Sequence, residues 1–490
     1  MFISALNLHD KTVTGACDFT LKLTNGQLVD CEEVVRIVPK RRLVCRGVFN
    51  GQSVYAKLFI GKNAKKYALR DQVGVQALQQ VGIQTADLLL AAPFNEGEVL
   101  VYAEISPSQN AEVSYAQLEK MARLSLMQSL VKIVAQHHQA QLIQTDLYFK
   151  NFLVETKTQA IYTLDGDGIR PLNTLFKTKQ KLSNLATLFS KMDVQDDVWI
   201  ADLTQRYCTQ TNMQFSAELV TTVWAQTQKI RAQVSRNYAD KKVFRNCTDV
   251  KVIQNFSRYA ATARDFVVEE KTLTELDVYL ENPTQNIKNG NTCTIAKAEI
   301  AHRAVVIKRY NIKGLSHKVS RAFRKSRAAT SWANAFRLQM ANIATPKPLA
   351  LFEERFGVLR ARAYFVSEFV DAPDIAQFFA QTTDIETKQQ VALEVAKLFY
   401  RLYLLKISHG DCKATNIKIK DGKPLLLDLD AMQANAWNFE SKHVKDLQRF
   451  MRNWQHAAAL TTLFKDAFVQ VYDEADDVFA PSILSRAGVI

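Results

Sequence analysis

The sequence predicts an α+β chain of two similar units in tandem, each a small β-rich lobe followed by a larger helical lobe. Three observations lead there. Residues 408 to 430, SHGDCKATNIKIKDGKPLLLDLD, place an Asp, an Asn five residues later, and a second Asp after a hydrophobic run. Residues 144 to 168, QTDLYFKNFLVETKTQAIYTLDGDG, repeat that order with Asp146, Asn151 and Asp165. Far upstream of each block stands a lysine in strand-like sequence: Lys57 in SVYAKLF, 89 residues before Asp146, and Lys308 in AVVIKRY, 103 residues before Asp411. A single D-x-x-x-x-N arises by chance in most long chains. Its recurrence with the same flanking pattern and a downstream Asp does not.

Along the chain the elements follow the same order twice. Each lysine lies in an alternating or continuous apolar run, as a buried strand requires. A helical stretch comes next, KKYALRDQVGVQALQQ in the first half and HKVSRAFRKSRAATSWANAFRLQ in the second. Paired strands come after it, LLLAAPFNEGEVLVYAEIS and LALFEERFGVLRARAYFVSEFV. In the second block ATNIKIKD and KPLLLDLD read as a hairpin closed by Asp421-Gly422, which carries Asn416 and Asp428 to one end. Helical sequence closes each half, and the boundary falls near residue 240, giving domains 1–238 and 239–490. No Pro/Gly-rich linker separates them.

This arrangement is that of a protein-kinase-like phosphotransferase, whose catalysis is mainly positioning and neutralisation of phosphate charge. On that reading Asp411 and Asp146 orient the attacking hydroxyl and accept its proton. Asn416 with Asp428, and Asn151 with Asp165, hold Mg²⁺. Lys308 and Lys57 contact the ATP phosphates. The segments Glu368 to Val370 and Glu104 to Ile105 supply backbone to the adenine. Gly47 and Gly51 in CRGVFNGQS, and Gly290 in IKNGNT, are candidates for a phosphate-covering loop or for ordinary hairpin turns.

Bulk properties bound the rest. With 47% hydrophobic residues the 490-residue chain has material for two cores. Seven cysteines without C-x-x-C spacing suggest neither a disulfide framework nor a zinc site. No leader or membrane-spanning apolar run is evident, so the expectation is a cytoplasmic protein, peripheral at the inner face of the inner membrane. A net charge of +14 favours anionic partners, an anionic membrane surface among them. The acid-free run KVSRAFRKSR, with Lys318, Arg321, Arg324, Lys325 and Arg327, must be largely solvated or touch phosphates. No nucleic-acid-binding module is present, so nucleic acid is not an expected partner.

The second half also carries RKSRAATSWANAFRL, IATPKPLA, YFVSEFV, HGDCKATN, LLLDLD and DLQRFMRNW. With these it resembles the InaA-like lipopolysaccharide core kinases of the Kdo/heptose kinase family over about residues 240 to 490. The first half resembles a diverged copy. The resemblance implies transfer of the γ-phosphate of ATP, with Mg²⁺, to a heptose or Kdo hydroxyl of the lipopolysaccharide inner core in a Gram-negative cell. It also implies a glycolipid partner and the roles above for Lys308, Asp411, Asn416 and Asp428. Lys413 matches a place where related enzymes put a lysine against the γ-phosphate, and His409 is expected to support its loop by a backbone hydrogen bond. Asp430 is read as a turn cap in place of a glycine, or as a second metal contact.

Two departures stand out. The helix glutamate that usually pairs with the strand lysine is expected to be missing from both halves, Asn334 and Gly74 occupying the positions four before Leu338 and Leu78. In the first half QTD replaces HGD, Tyr148 replaces Lys413, and Asn184 replaces Asp446. That half is either a second active kinase or a domain that binds without turnover. The alternatives for the whole chain are a tandem pseudokinase scaffold in envelope biogenesis and a kinase-fold enzyme acting on a protein or small molecule. The absence of an A-P-E-like segment after LDLDAMQANAW argues against a protein acceptor.

Overall fold

A computed structural model describes residues 14–282, 286–290, 292–311, 324–473 and 480–490. These residues fall into two compact units divided between Ile230 and Arg231, with Asp193–Gln195 grouped in the second. The division lies inside the helix Ala217–Ala239, a few residues before the boundary expected from sequence.

The first unit opens with an antiparallel sheet of six strands: β1 (Gly15–Lys22), β2 (Leu28–Val38), β3 (Arg42–Phe49), β4 (Gln52–Ile60), β5 (Leu88–Phe94) and β6 (Gly97–Ala103), in the order β1-β2-β3-β4-β6-β5. The period of two sorts the faces of β4. Val54, Ala56 and Leu58 join a core with Phe19, Leu43 and Val99. Lys57 and Phe59 therefore point to the other face, where Phe59 packs with Ala64, Ala68 and Val75 of helix α1 (Ala64–Gln80). Asn50 and Gly51, both at positive φ, make the two-residue turn between β3 and β4. Gly51 is thus a hairpin residue. Gly47 lies within β3, where a Cβ would sit 1.8 Å from the Asp30 carbonyl oxygen. Neither glycine lies in the turn that corresponds to a phosphate-covering loop, which joins β2 to β3 and reads Pro39-Lys40-Arg41.

Helix α1 buries Ala64, Ala68, Asp71, Gly74, Val75 and Leu78, the stripe expected of a 3.6-residue period. Gly74 is needed because a Cβ there would lie 2.0 Å from the Gly166 carbonyl oxygen. The helix backbone therefore rests directly on the loop that carries Asp165. Gly74→Ala is expected to destabilise the first unit by about 3 kcal/mol through overpacking, read as a lower urea midpoint. The helical lobe beyond is held by Leu130, Val134, Leu185, Phe189, Leu203 and Tyr207.

The second unit repeats the plan with seven strands: β7 (Val250–Gln254), β8 (Arg258–Ala263), β9 (Asn286–Asn289), β10 (Cys293–Ile300), β11 (Arg303–Tyr310), β12 (Pro348–Phe356) and β13 (Leu359–Glu368), in the order β7-β8-β12-β13-β11-β10-β9. Lys308 sits on β11, paired with Ile295 and Phe365. Helix α2 (Arg327–Met340) starts where the Ser326 side chain accepts the Ala329 N–H, a stabilising N-cap. Of the expected helix, the portion with Lys318 and Arg321 lies outside the described residues. The helical lobe centres on Phe399, Phe450, Phe464, Phe468 and Tyr472. Among the described residues no helix is long and apolar enough to cross a membrane, and all seven cysteines are free.

Three buried histidines make both lobes acid-sensitive. His137 meets Thr163, His138 meets Tyr207 and Asn184, and His443 meets Tyr472. Burial holds them neutral, lowering their pKa values to about 3, about 4 and about 3. An unfolded histidine titrates near 6.5, so between that value and the folded one only the unfolded chain takes up the proton. Stability is therefore full above roughly pH 6.5 and falls on acidification, by about 2 kcal/mol per imidazole at pH 5. Urea midpoints at pH 5 and pH 7 check the sign.

Candidate active site

In the second unit a web of backbone bonds holds the catalytic-type loop. The strand Ile407–Ser408 pairs with Gln433–Ala434. The carboxylate of Asp446, on helix α3 (Phe439–Met451), accepts the N–H groups of His409 at 2.7 Å and Gly410 at 2.8 Å. Burial raises the pKa of Asp446, while those two donors act in the opposite direction. Gly410 lies at φ +83°, where a Cβ would come within 2.9 Å of the Ala431 carbonyl oxygen. The His409 ring meets the Leu427 carbonyl at 2.8 Å, so this fully buried side chain ties the loop to the strand end as expected.

After Asp411 the chain makes a 3₁₀ turn, Ala414–Asn416, and then the hairpin Ile417–Lys420 and Lys423–Leu426. Asp421 and Gly422 form its two-residue turn, both at positive φ. The Leu427 N–H donates to the Asn416 carbonyl at 2.8 Å, which places Asn416 beside Asp428. Asp428 lies at φ +56°, as Asp165 lies at +65° in the first unit. A non-glycine residue in the left-handed region at both matching places marks a shared, constrained turn.

The polar groups converge as follows. Asp411 meets Lys413 Nζ at 3.0 Å and Arg449 Nε at 3.6 Å. Asn416 donates its amide to the Asp411 carbonyl at 2.9 Å and carboxylate at 3.1 Å. With its nitrogen spent, Asn416 has Oδ1 left to offer. Lys308 pairs with Asp428, and with Asp430 at 3.3 Å. Burial disfavours the Lys308 charge, but Tyr310, Asp428 and Asp430 outweigh it and hold the ammonium above an ordinary lysine. Burial likewise opposes the Asp428 charge, yet Lys308 keeps its pKa low. Asn416 Oδ1 and an Asp428 oxygen are hard donors on adjacent loops, a set that suits Mg²⁺, which takes few protein ligands and keeps waters and phosphates.

The expected absence of a helix acid holds in one unit only. In the first unit Asp71 of α1, fully buried, meets Lys57 Nζ at 2.8 Å. Tyr102 donates to the same carboxylate at 2.6 Å. Asp71 lies seven residues before Leu78, two helical turns away on the same stripe. The corresponding residue seven before Leu338 is Ser331, which bonds Tyr310 instead. The second carboxylate on Lys308 comes from Asp430, which also meets Arg327 at 2.6 Å. Asp430 is therefore an ion-pair partner, and Asn334 is no acceptor for Lys308. Its amide donates to the Leu429 and Met432 carbonyls, at 2.9 and 3.0 Å, and pins the Asp428 loop to α2.

In the first unit the same frame is partly rebuilt. Gln144 replaces His409 and donates to the Leu164 carbonyl at 2.9 Å. Asn151 donates to the Asp146 carbonyl at 2.7 Å, and the Leu164 N–H reaches the Asn151 carbonyl at 2.7 Å. Asn184, in place of Asp446, reverses the polarity and donates to the Gln144 carbonyl at 2.8 Å. Lys191 lies 4.2 Å over the Tyr148 ring. Among the described residues no ion pair or hydrogen bond holds the Asp146 carboxylate. At the segments expected beside the adenine the Glu104 N–H donates to the Ser53 carbonyl and the Glu368 N–H to the Lys347 carbonyl, each at 3.0 Å. The Val370 N–H has no partner among the described residues. Sequence reasoning missed Asp71, Arg449 and the arginines around Asp165. Only Asp71 had a signal, its place on the buried stripe.

The profile of the Lipopolysaccharide kinase (Kdo/WaaP) family matches residues 279–472. That stretch is similar to the family over about two fifths of the chain. The matched stretch contains Lys308, Asp411, Asn416, Asp428 and Asp446. Its members are kinases, phosphotransferases that act on a sugar hydroxyl, and the match supports a lipopolysaccharide kinase. A kinase of this kind uses ATP. A solved structure, WaaP in complex with acyl carrier protein, is 14% identical to the chain with a TM-score of 0.32, covering 41% of this chain and 88% of that one. Among curated proteins none matches at a significant level.

Proposed function

We propose that the second unit transfers the γ-phosphate of ATP to a heptose or Kdo hydroxyl of the lipopolysaccharide inner core. The observation that carries this reading is the constellation of Asp411, Lys413, Asn416 and Asp428–Lys308 inside the stretch that matches the family. In the step, the acceptor oxygen forms a bond to Pγ, the bond from Pγ to the ADP oxygen breaks, and the hydroxyl proton passes to the Asp411 carboxylate. Asn416 and Lys413 hold that carboxylate in place. Lys308 sets Asp428 and meets the phosphates, with Lys413 beside the γ-phosphate. The backbone from Glu368 to Val370 lies against the adenine. Asn416 and Asp428 would hold Mg²⁺, which when bound neutralises charge on the β- and γ-phosphates.

The acceptor is a glycolipid, and the net charge of +14 suits a phosphorylated substrate at an anionic membrane surface. On this reading the protein works at the cytoplasmic face of the inner membrane. The test is an acceptor comparison with the purified chain: intact core oligosaccharide, core stripped of Kdo, a generic protein substrate and free sugars. Label on the oligosaccharide alone supports the reading. Label on protein or free sugars, with none on the core, removes it.

A further inference from the structure

The two units differ most at the turn over the phosphates. In the second, the β9–β10 turn holds Asn289, Gly290 and Thr292, with Lys288 of β9 the adjoining charge. In the first, the β2–β3 turn leads from Lys40 through Arg41 into Arg42. Both arginines reach down to the loop that carries Asp165. Arg42 Nη1 lies 3.3 Å from Asp165 Oδ1 and 3.8 Å from Asp71. Arg41 lies 3.1 Å from Asp167, which also meets Arg70. Lys57 approaches the same Asp165 oxygen at 3.5 Å. Four cations thus surround three carboxylates, and Arg36 adds positive charge nearby.

Arg42 decides what this excess is for. It is 93% buried, taking its 7% exposure, and its Nε has no acceptor. A buried N–H without a partner is costly until a water or ligand completes it, and although the Nε atoms of Arg123, Arg258, Arg360 and Arg401 share that state, Arg42 is the one that lies against Asp165 and Asp71. A triphosphate, dense in acceptor oxygens, is the ligand that a fork of arginine N–H groups suits. Asp165 and Asn151 do not suit Mg²⁺ in the same way as Asp428 and Asn416. Asp165 Oδ1 meets both Arg42 and Lys57, whereas Asp428 meets Lys308 alone, so a dication at Asp165 would face one more cation within a few ångströms.

We propose that the first unit binds a nucleoside triphosphate without a divalent cation, Arg42 and Lys57 supplying the positive charge at the phosphates. The inference rests on the kinase-like reading of each unit and not on the acceptor used by the second. The low pKa of Asp165, held at about 2 by Lys57, Arg42 and Arg36 against the effect of burial, agrees with it.

The experiment is titration of the full chain with N-methylanthraniloyl ATP, in Mg²⁺ and in EDTA. Two nucleotides bind in Mg²⁺ and one in EDTA, the latter with an affinity within about threefold of its value in Mg²⁺. Arg42→Gln weakens the EDTA-resistant site about 30-fold or more, and Arg42→Lys restores much of it, with melting curves recorded on both. Lys308→Met removes only the Mg²⁺-dependent site. EDTA-resistant binding lost in Arg42→Gln, with no second site in Mg²⁺, supports the inference and counts against the second-unit reading instead. No nucleotide in EDTA overturns it, as does an EDTA-resistant site that vanishes with Lys308 and ignores Arg42.

Discussion

Asp411→Asn is expected to lower phosphate transfer about 1000-fold while leaving the fold and the ATP affinity unchanged, as loss of a positioned base does. Asp411 is one-third exposed on a loop, and the Asn416 amide keeps its bond to the residue 411 carbonyl. The loop is fixed mainly from below, through Asp446 and His409. The effect should therefore fall on kcat and not on KM for ATP. Steady-state kinetics with melting curves on both proteins separate the two. Transfer at the parent rate would place the base elsewhere, with Asp146 the next residue to replace.

Lys308→Met is expected to lower kcat/KM by a factor of about 100 to 1000, the size found when one preorganised charge at a transferring group is removed. It acts twice. The phosphates lose an ammonium, and Asp428 loses the partner that keeps its pKa low. Arg327 still neutralises Asp430, so the damage centres on Asp428. With Asp428 one-third exposed, the loss of stability is about 1 to 2 kcal/mol, below that of a fully buried broken pair. Lys308→Arg should recover stability before it recovers rate, because the fork cannot reproduce the position of the point charge.

Where the chemistry is local the sequence was readable. Asp411, Asn416, the Asp421-Gly422 turn and Asp428 lie within one short stretch, and the hairpin period and turn residues determine their arrangement. The duplicated plan was readable for the same reason. Partners that meet across long separations were not. Arg42 and Asp165 are 123 positions apart, and Asp430 and Arg327 are 103 apart, so no periodicity links them. Asp71 is an intermediate case. Gly74 stands four residues before Leu78, whereas the helical stripe also passes through the residue seven before. The carboxylate was present one turn further along. In the second unit the second carboxylate on the lysine is Asp430 of the loop, whose counterpart in the first unit, Asp167, meets Arg41 and Arg70 instead.

The two clefts also differ in character. The first balances its acids with a cationic turn, Lys40-Arg41-Arg42, and the second leaves Asp428 with a single lysine. A metal beside Asp428 and Asn416 Oδ1 would face one cation fewer than a metal beside Asp165. Chemistry is assigned to the second unit for this reason.

The central claim is that Asp411 serves phosphorylation of a lipopolysaccharide core sugar. Its most direct test is mass spectrometry of core oligosaccharide from cells whose only copy of the chain carries Asp411→Asn, beside cells with the parent chain. The expected result is core lacking a phosphate at a defined heptose or Kdo, with the sugar backbone otherwise complete. Core of identical phosphate content and position in both strains would contradict it.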